Sequence, residues 1–488
     1  MLTPNPNSAF ATEKTPALRF LIPLTVAFAF TMEQLDSTII TTAIPDIAEG
    51  LHTSPLQMNL AITSYILSLA VFIPVSGWFA DKYGARRVFI AALLVFTAAS
   101  GLCGLSQTLP QMVATRILQG FGGAMMTPVG RLILIRAFPR SQLVTAMTYM
   151  TVPAVIGPTM GPLLGGFLTT YAGWRWLFYV NIPLGLLGIA LALRYLENTR
   201  VEAAPRFDLP GFLLCGAGLA CLQFALEAIG HPILPHAATP ALFIAAVLLL
   251  AAYAWYSRRR TDPALDLTLF RDRVFRTSTL VGGLSRTGAN AVPFMLPLML
   301  QLGFGYSPIQ SGSITFVVSL GTLAVRPVSA ILLRAFGFRG VLAGNGIICA
   351  AIIAAFALTT ASTPHWLLIV HLLTFGVVRG TQFMTTNTLT YAEIPAPRLS
   401  RATSLGGVIQ QLTISFGVSA AAALLALLAG PELLPSVANF HLAFLIMAGV
   451  TLLSVPGFLL LNRTDGAQVT GQRPRAPPFP KPPRAAGR

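Results

Sequence analysis

The chain has 488 residues, of which 54% are hydrophobic and only 10% are charged. Because soluble domains carry about 25% charged residues, this composition excludes an ordinary soluble protein and indicates an integral membrane protein. The net charge of +16 would suit nucleic-acid binding, but the basic residues lie in short segments between apolar runs. Membrane topology explains that placement better, so we expect no nucleic-acid partner.

The apolar segments are long, continuous and rich in Leu, Ala and Gly, which predicts spanning helices rather than the strands of a closed barrel. In chain order they cover 18–46, 55–79, 87–107, 109–135, 142–168, 176–196, 209–229, 240–257, 277–302, 309–333, 340–361, 366–390, 403–429 and 440–461. The predicted fold class is therefore an all-α integral membrane protein with about 14 transmembrane helices.

Two polar segments, 197–208 and 258–276, interrupt this series and suggest six spans, an inserted pair and six more spans. The expected organisation is a cytoplasmic N-terminal segment at 1–17, a six-helix bundle at 18–196, a linker with two inserted helices at 197–276, a second six-helix bundle at 277–461, and a disordered cytoplasmic tail at 462–488.

Basic residues fall in alternate connections between the spans, which predicts a cytoplasmic location for these connections and for both termini. The basic set comprises Lys82, Arg86, Arg87, Arg136, Arg140, Arg200, Arg206, Arg258, Arg259, Arg260, Arg271, Arg273, Arg276, Arg334, Arg339, Arg398 and Arg401, whereas the other connections carry Arg175 and almost no further basic residue.

Two carboxylates, Glu33 and Asp36, interrupt the first span. A charge at the centre of a spanning helix costs about 2.5–3.5 kcal/mol on insertion scales, so such residues usually have a function. Their spacing of three puts both on one helical face, which should point into the protein. Asp36 and Glu33 are therefore candidate proton carriers, although Glu33 could instead contact a substrate or line water.

A faint internal repeat links segments 77–87 and 330–339. Aligning Gly84 with Gly337 places a tight turn and a following basic residue at equivalent positions of the two bundles, while Asp81 has no acidic counterpart in the second copy. Two halves related by an axis along the membrane normal are typical of transporters.

Five motifs resemble the major facilitator superfamily, and in particular its drug:proton antiporter-2 branch, whose members have fourteen helices. The motifs are LDSTIITTAIP (35–45), GWFADKYGARR (77–87), RILQGFGGAMMTPVGR (116–131), GPTMGPLLGG (157–166) and WRWLFYVNIPLG (174–185). The second half matches mainly in span count and loop charge. Thr41 departs from the branch, which commonly has Asn there.

This resemblance implies two six-helix bundles plus two inserted helices and a proton-coupled efflux transporter that works by alternating access. It also implies that Asp36 and Arg116 carry proton coupling. Arg116 lies inside the fourth span and needs an anionic or carbonyl partner, for which Asp36 and Glu33 are candidates. A buried structural ion pair is the alternative explanation for Arg116.

The loop motif supplies a candidate gate made of Gly77, Asp81, Gly84, Arg86 and Arg87. The glycines permit close helix approach and a tight turn, and Asp81 precedes a helix N-terminus, which favours an anion. Ion pairs between Asp81 and the neighbouring arginines could then close the cytoplasmic side. A solvated loop that only sets topology is the alternative.

Small residues in the fifth span recur every four positions and predict a closely packed hinge. They are Gly157, Pro158, Gly161, Pro162, Gly165 and Gly166. In the antiporter branches this motif is tied to export, so the resemblance favours efflux over uptake.

Three arginines lie within spans of the second half: Arg286, Arg326 and Arg379. With Glu33 they are the substrate-binding candidates, and they would suit an anionic substrate. They could equally pair with helix C-termini or lie near the inner face. Glu227 and His371 are weaker polar interruptions, and a lone histidine in a span is more often a packing residue.

No Cys/His cluster, Ser/His arrangement or Walker-type loop occurs in the sequence, so we expect no enzyme activity, no metal, no cofactor and no ATP drive. The expected partners are a small-molecule substrate, protons and the lipid bilayer, with the chain a monomer in a bacterial inner (plasma) membrane. Multidrug efflux is the leading function. Export of an anionic metabolite or metal-carboxylate chelate, and a non-transporting sensor or assembly partner, are the alternatives.

Overall fold

The computed structural model describes residues 16–138, 140–198, 207–230, 238–260, 263–395, 398–430, 434–462 and 464–466. Most of the predicted N-terminal segment and tail, together with Arg200 and Arg206, lie outside these residues. The side chains of Arg140 and Arg326 also lie outside the described part. Within it, helices joined by short connections form the whole architecture.

The first half contains eight helices, two of them short. They are α1 (Pro16–Ile39), α2 (Ile44–Gly50), α3 (Asn59–Tyr83), α4 (Ala85–Leu105), α5 (Leu109–Ala137), α6 (Arg140–Tyr171), α7 (Trp176–Tyr179) and α8 (Asn181–Tyr195).

Two long helices follow, and then the second half. They are α9 (Leu209–Gly230), α10 (Ala238–Ser257), α11 (Arg273–Leu298), α12 (Pro308–Leu323), α13 (Val325–Ala355), α14 (His365–Ala392), α15 (Leu399–Ala429), α16 (Val437–Leu452) and α17 (Val455–Leu459).

Each of the fourteen predicted spans coincides with helix, which agrees with the expected count. By length and composition alone, nine helices of the described part are apolar enough to cross a membrane. Many large apolar side chains on the outer surface are exposed, as lipid contact requires. Examples are Leu186, Leu248, Trp255, Ile331 and Leu460.

The connections define two faces of the molecule. The basic face carries the turns at 84, 138 and 337, together with the helix ends at 195 and 209, 257 and 273, and 392 and 399. The opposite face carries the turns at 51–58, 106–108, 172–175, 304–307 and 359–364.

Both glycines of the internal repeat make turns at the basic face. Gly84 has a φ of 94° and Gly337 a φ of 67°, a region in which residues with a side chain are strained. Gly337 turns the chain within α13, so the predicted tenth span comprises α12 and the first part of α13, with a break at Ala324. The repeat is thus present in the backbone as well as in the sequence.

Each half forms its own bundle. In the first half α1 packs on α6 and α5 packs on both α3 and α4, whereas in the second half α11 packs on α15 and α14 packs on both α12 and α13. The halves meet along two seams, α6 with α12 and α3 with α15. The inserted helix α9 contacts both α3 and α15.

Candidate functional site

The carboxylate of Asp36 is completely buried where α1, α5 and α8 meet. Arg116 Nη1 lies 2.6 Å from Asp36 Oδ2. Gln119 Nε2 and Asn181 Nδ2 donate to Asp36 Oδ1 at 2.8 Å and 3.0 Å. One cation and two neutral amides therefore satisfy a charge that has no contact with solvent.

A second set of contacts fixes these partners. Gln119 Oε1 accepts a hydrogen bond from Arg116 at 2.7 Å, and Asn181 also donates to Ser100 Oγ at 3.0 Å. The guanidinium carbon of Arg116 lies 4.3 Å from the centre of the Tyr65 ring, which is a cation–π distance. Arg116 is thus held from three sides and cannot turn to another acid without breaking several contacts.

Close helix packing brings Arg116 to this position. A Cβ on Gly120 would lie 2.6 Å from the carbonyl oxygen of Tyr65, so only glycine allows α5 to lie this close to α3. Helix α5 begins at the opposite face with Leu109, and Arg116 lies seven residues later, which is roughly 10 Å along the helix axis. The ion pair therefore lies inside the bundle, below that face.

Glu33 occupies a separate position on α1. Its Oε2 accepts a hydrogen bond from Thr127 Oγ1 at 2.6 Å, and the residue is 8% exposed. Of the two acids considered for Arg116, the structure therefore pairs Asp36 with it. Glu33 lies about one helical turn closer to the basic face.

Gln119 and Asn181 were not among the predicted site residues, although both lie within the motifs 116–131 and 174–185. Each is fully buried and donates to Asp36. The available signal was a side-chain amide inside an apolar span. That signal is weak because such amides also bond to backbone carbonyls.

The loop at the basic face pairs its charges differently from the prediction. Asp81 forms its ion pair with Arg136, at the end of α5, at 2.5 Å. Arg86 donates to the carbonyl oxygen of Leu193, and the side chain of Arg87 is exposed. The expected pairing of Asp81 with Arg86 or Arg87 is therefore wrong for this conformation, because both arginines point towards α8 or solvent.

The two glycines of this loop also differ from each other. A Cβ on Gly84 would lie 2.2 Å from Asn198 Oδ1, so this turn is tightly packed. A Cβ on Gly77 would meet no atom within 4 Å. Gly77 is exposed, and the close helix approach expected there is absent from the described residues.

The small residues of α6 make two different contacts. Gly157, Gly161 and Gly165 face α1, and a Cβ on Gly165 would lie 2.3 Å from the carbonyl oxygen of Ile39. On the other side, a Cβ on Gly166 would lie 2.4 Å from the carbonyl oxygen of Pro308, at the start of α12.

Prolines of the same motif complete the second contact. Ser319 donates to the carbonyl oxygen of Pro158 at 3.2 Å, and a Cβ on Gly312 would lie 2.3 Å from that of Pro162. The motif therefore packs α6 against its own bundle and against the other one.

Two of the second-half arginines form a reciprocal arrangement across α11 and α14. Arg286 donates to Asn387 Oδ1 at 3.3 Å, and Arg379 donates to Asn290 Oδ1 at 3.0 Å. In the described part of the chain neither arginine has a carboxylate within 4 Å. Both lie near the middle of their helices, away from the helix C-termini that were one expected partner. The side chain of Arg326, the third candidate, is outside the described residues.

The two weaker polar interruptions, His371 and Glu227, have different surroundings. His371 Nε2 lies 2.9 Å from the carbonyl oxygen of Ile352, and its ring stacks on Phe356 at 4.1 Å between centres, as a packing histidine would. Glu227 is instead buried between α9, α3 and α15, with four side chains donating to it. Glu227, which the sequence presented only as a weak polar interruption, therefore has more polar contacts than Glu33.

This helical architecture has clear relatives among known proteins. The family model described as Major Facilitator Superfamily matches residues 26–418. The chain belongs to this superfamily of membrane transporters.

Two bacterial relatives are named "Putative multidrug resistance protein MdtD". The one from Pectobacterium atrosepticum is 39% identical over 440 residues, which cover 90% of this chain and 94% of the relative. The one from Serratia proteamaculans is 39% identical over 422 residues, which cover 86% and 88%.

Solved structures agree on the fold. A D-xylose–proton symporter superimposes with a TM-score of 0.66 at 13% identity, covering 92% of this chain and 99% of the symporter. The human organic anion transporter MFSD10 gives a TM-score of 0.60 at 14% identity, covering 91% and 100%. At these identities the likeness establishes the fold alone.

Proposed function

We propose that this protein is a proton-coupled exporter of small molecules, including drugs, that works by alternating access. The observation that carries the proposal is the buried pair of Asp36 and Arg116, held by Gln119 and Asn181 between three helices. The names of the 39% identical relatives support drugs as substrates.

The pair can convert protonation into movement. While Asp36 is ionised, Arg116 neutralises it and ties α1 to α5. A proton on Asp36 cancels the attraction and leaves Arg116 without its counter-charge, so the contact weakens and another packing of α1 is favoured. A membrane potential supplies roughly 2.3 kcal/mol per charge per 100 mV to drive the cycle.

We place the protein in a bacterial inner membrane as a monomer, with the basic face and both termini in the cytoplasm. The excess of Lys and Arg on alternate connections supports this orientation. We expect no cofactor, because the proton gradient supplies the energy.

The decisive experiment begins with the substrate. Metabolite levels and drug sensitivities compared between cells with and without the protein would identify it. Purified protein in proteoliposomes should then move that compound against its gradient when a proton gradient is imposed. Asp36→Asn should abolish this uphill movement while the protein still inserts and folds. Full uphill transport by Asp36→Asn would reject the coupling role of Asp36.

Export of an anionic compound is a second candidate, favoured by Arg286 and Arg379. Two buried or half-buried cations whose hydrogen bonds, in the described residues, go to amide oxygens could accept a carboxylate between them. Arg286→Ala and Arg379→Ala should each weaken transport of an identified anion at least about tenfold, whereas the exposed Arg259→Ala should not. Unchanged transport in both variants would reject the anionic site.

A non-transporting sensor or assembly partner remains the candidate from another class. The same proteoliposomes distinguish it, because a sensor would show no substrate-dependent proton flux with any compound of a broad panel.

A further inference from the structure

Helix α10 lies at the outside of the molecule and packs mainly on α9. Three of its exposed residues, Leu248, Ala251 and Trp255, are spaced by three and four positions and therefore share one helical face. Leu248 is 64% exposed and Trp255 is 59% exposed. We call these three residues the α10 stripe. In a membrane such a face is covered by the acyl chains of lipids, which are as apolar as the side chains themselves.

An exposed arginine continues the stripe beyond the end of the helix. The guanidinium carbon of Arg259, in the turn after Ser257, lies 3.8 Å from the centre of the Trp255 ring. Tryptophan rings and the heads of long basic side chains are placed together at the level of the lipid headgroups. The stripe thus passes from apolar groups to a cation at the basic face.

The length of this arrangement matches one leaflet of a bilayer. Arg259 lies eleven positions after Leu248, which is roughly 16 Å along a helix axis. The hydrocarbon core of a bilayer is about 30 Å thick, so one leaflet contributes about 15 Å. With Arg259 at the headgroups, Leu248 therefore lies near the middle of the bilayer.

The positive charge at this end of α10 is not neutralised within the described residues. Arg258, Arg259 and Arg260 are exposed, and none of them has a carboxylate within 4 Å there. Arg260 instead donates from Nε to Tyr256 Oη at 2.9 Å. Three consecutive cations are thus available to an external anion.

The acids of the neighbouring connections have other partners. Asp208 accepts from Tyr256 Oη at 2.7 Å and from two backbone N–H groups. Asp266 pairs with Arg398 at 3.2 Å. Asp262 lies outside the described residues.

Charge and apolar character together select the partner. A soluble anion would leave Leu248 and Trp255 uncovered. A second copy of the chain would bring the same three arginines, and the segment after Asn462 is itself rich in arginine, so both would be repelled. A phospholipid with a net negative charge supplies an acyl chain and a phosphate at the separation that the stripe and Arg259 require.

We propose that α10 binds an anionic phospholipid of the leaflet at the basic face, with the phosphate at Arg259 and an acyl chain along the α10 stripe. A zwitterionic phospholipid carries its own cation next to the phosphate and gains less from the three arginines. The site lies on the outer surface of the inserted pair, so it is independent of the ion pair proposed for proton coupling.

The test uses the fluorescence of Trp255 in full-length protein in nanodiscs. Brominated acyl chains quench a tryptophan that they contact, and subtracting the signal of Trp255→Phe isolates Trp255 from the other four tryptophans. Brominated phosphatidylglycerol should associate at least about fivefold more strongly than brominated phosphatidylcholine. About 1 M salt should remove most of this preference, because it shortens the screening length to about 3 Å.

Three variants locate the headgroup. Arg259→Gln removes one cation and should lower the preference for phosphatidylglycerol about fivefold. Arg259→Lys keeps the charge and should retain most of the preference. Arg87→Gln removes an exposed arginine from the loop between α3 and α4 on the same face, and should leave the preference unchanged.

A competition experiment distinguishes a lipid headgroup from free phosphate. Inorganic phosphate should displace no more phosphatidylglycerol than sodium chloride of equal ionic strength, since it offers no acyl chain. Stronger displacement by phosphate would assign the site to a soluble anion and overturn the proposal. Equal association of the two brominated lipids, or equal losses of preference in Arg259→Gln and Arg87→Gln, would overturn it as well.

Discussion

At the scale of single residues, Asp36 and Glu227 show two ways of holding a buried carboxyl group. Asp36 has a cation at 2.6 Å and two amide donors, whereas Glu227 has four neutral donors. Removing a cation from a buried pair leaves an uncompensated charge, while removing one neutral donor weakens the site by degrees. The first arrangement therefore suits an all-or-none change and the second a graded one.

Asp36→Asn should destabilise the protein as well as abolish coupled transport. Breaking a buried pair by neutralising one partner costs about 3–5 kcal/mol, because Arg116 keeps its charge without compensation. Thermal unfolding in detergent, followed by the fluorescence of a thiol-reactive dye, measures the loss.

The double variant Asp36→Asn/Arg116→Gln is the matched control. It removes both charges, so it should recover much of the stability lost in Asp36→Asn while remaining inactive. If the double variant were as unstable as the sum of the two single variants, the two residues would not be energetically coupled in the folded protein.

The charged residues of the site were visible in the sequence because a carboxylate or guanidinium inside an apolar span is costly. Asp36 and Arg116 stood out for this reason. The neutral partners did not stand out, because an amide or hydroxyl in a helix can also bond to its own backbone. They are Gln119 and Asn181 at Asp36, and Asn59, Thr63, Gln223 and Ser419 at Glu227. Only the packing of distant helices determines which of them meet a carboxylate.

At the scale of helices, α6 uses neighbouring glycines for different purposes. Gly165 packs on Ile39 of the same bundle, and Gly166 packs on Pro308 of the other bundle. Added volume at these positions should therefore have different consequences, although both sites are equally tight.

Gly165→Ala should reduce stability by about 1–3 kcal/mol, because a methyl group would collide with backbone inside one bundle. Gly166→Ala should instead separate the bundles at the opposite face. The measurement is the distance between spin labels at exposed His52 in the first half and exposed Leu434 in the second half, which should increase. Gly449→Ala, where a Cβ meets no atom within 4 Å, is the control for both. Equal effects of the Gly165 and Gly166 variants on the label distance would contradict this division.

The segment between α10 and α11 is fastened to α15 by Asp266. This carboxylate lies 3.2 Å from Arg398 and 3.5 Å from Arg401. Burial alone would raise the pKa of Asp266, but hydrogen bonds from Thr268 and Arg398 outweigh it and hold the pKa below its ordinary value.

This pKa fixes the sign of a pH effect. Because it is lowered in the folded protein, the contact is fully stabilising above the ordinary carboxyl value of about 3.9 and is lost as the pH falls through the lower folded value. A spin label at Arg271 should stay immobile at neutral pH and become mobile in strong acid. Asp266→Asn should make the label more mobile already at neutral pH, and an unchanged label in that variant would contradict the fastening role.

The helices themselves were largely predictable, because each long apolar run must satisfy its backbone internally. The turn at Gly337 was also anticipated, through its alignment with Gly84. The break at Ala324 and the short helices α2 and α7 were not. They depend on how neighbouring helices pack, and the hydrophobicity of the sequence does not report that packing.

At the scale of the whole molecule, the distribution of basic residues defines an orientation that labelling can test. A cysteine at exposed His52 should react with a membrane-impermeant thiol reagent added to spheroplasts. A cysteine at exposed Arg259 should react only in inverted vesicles. The reverse pattern would place the basic face outside and would exclude the proposed direction of export.

The two polar segments at 197–208 and 258–276 predicted the two-bundle organisation, but they did not predict which helices join the bundles. The contacts of α6 with α12 and of α3 with α15 join residues more than a hundred positions apart. A single sequence carries little information on such pairs, because small and polar residues at a seam resemble those inside a bundle.

The position of α9 limits how far this transporter can be shortened. A twelve-helix version made by removing 209–257 would lose Glu227 and leave Asn59, Thr63 and Ser419 facing one another without the acid that joins them. Protein engineers who want a smaller scaffold would therefore need to redesign the α3–α15 seam with apolar side chains. Through α9, the inserted pair is therefore part of the contact between the two bundles.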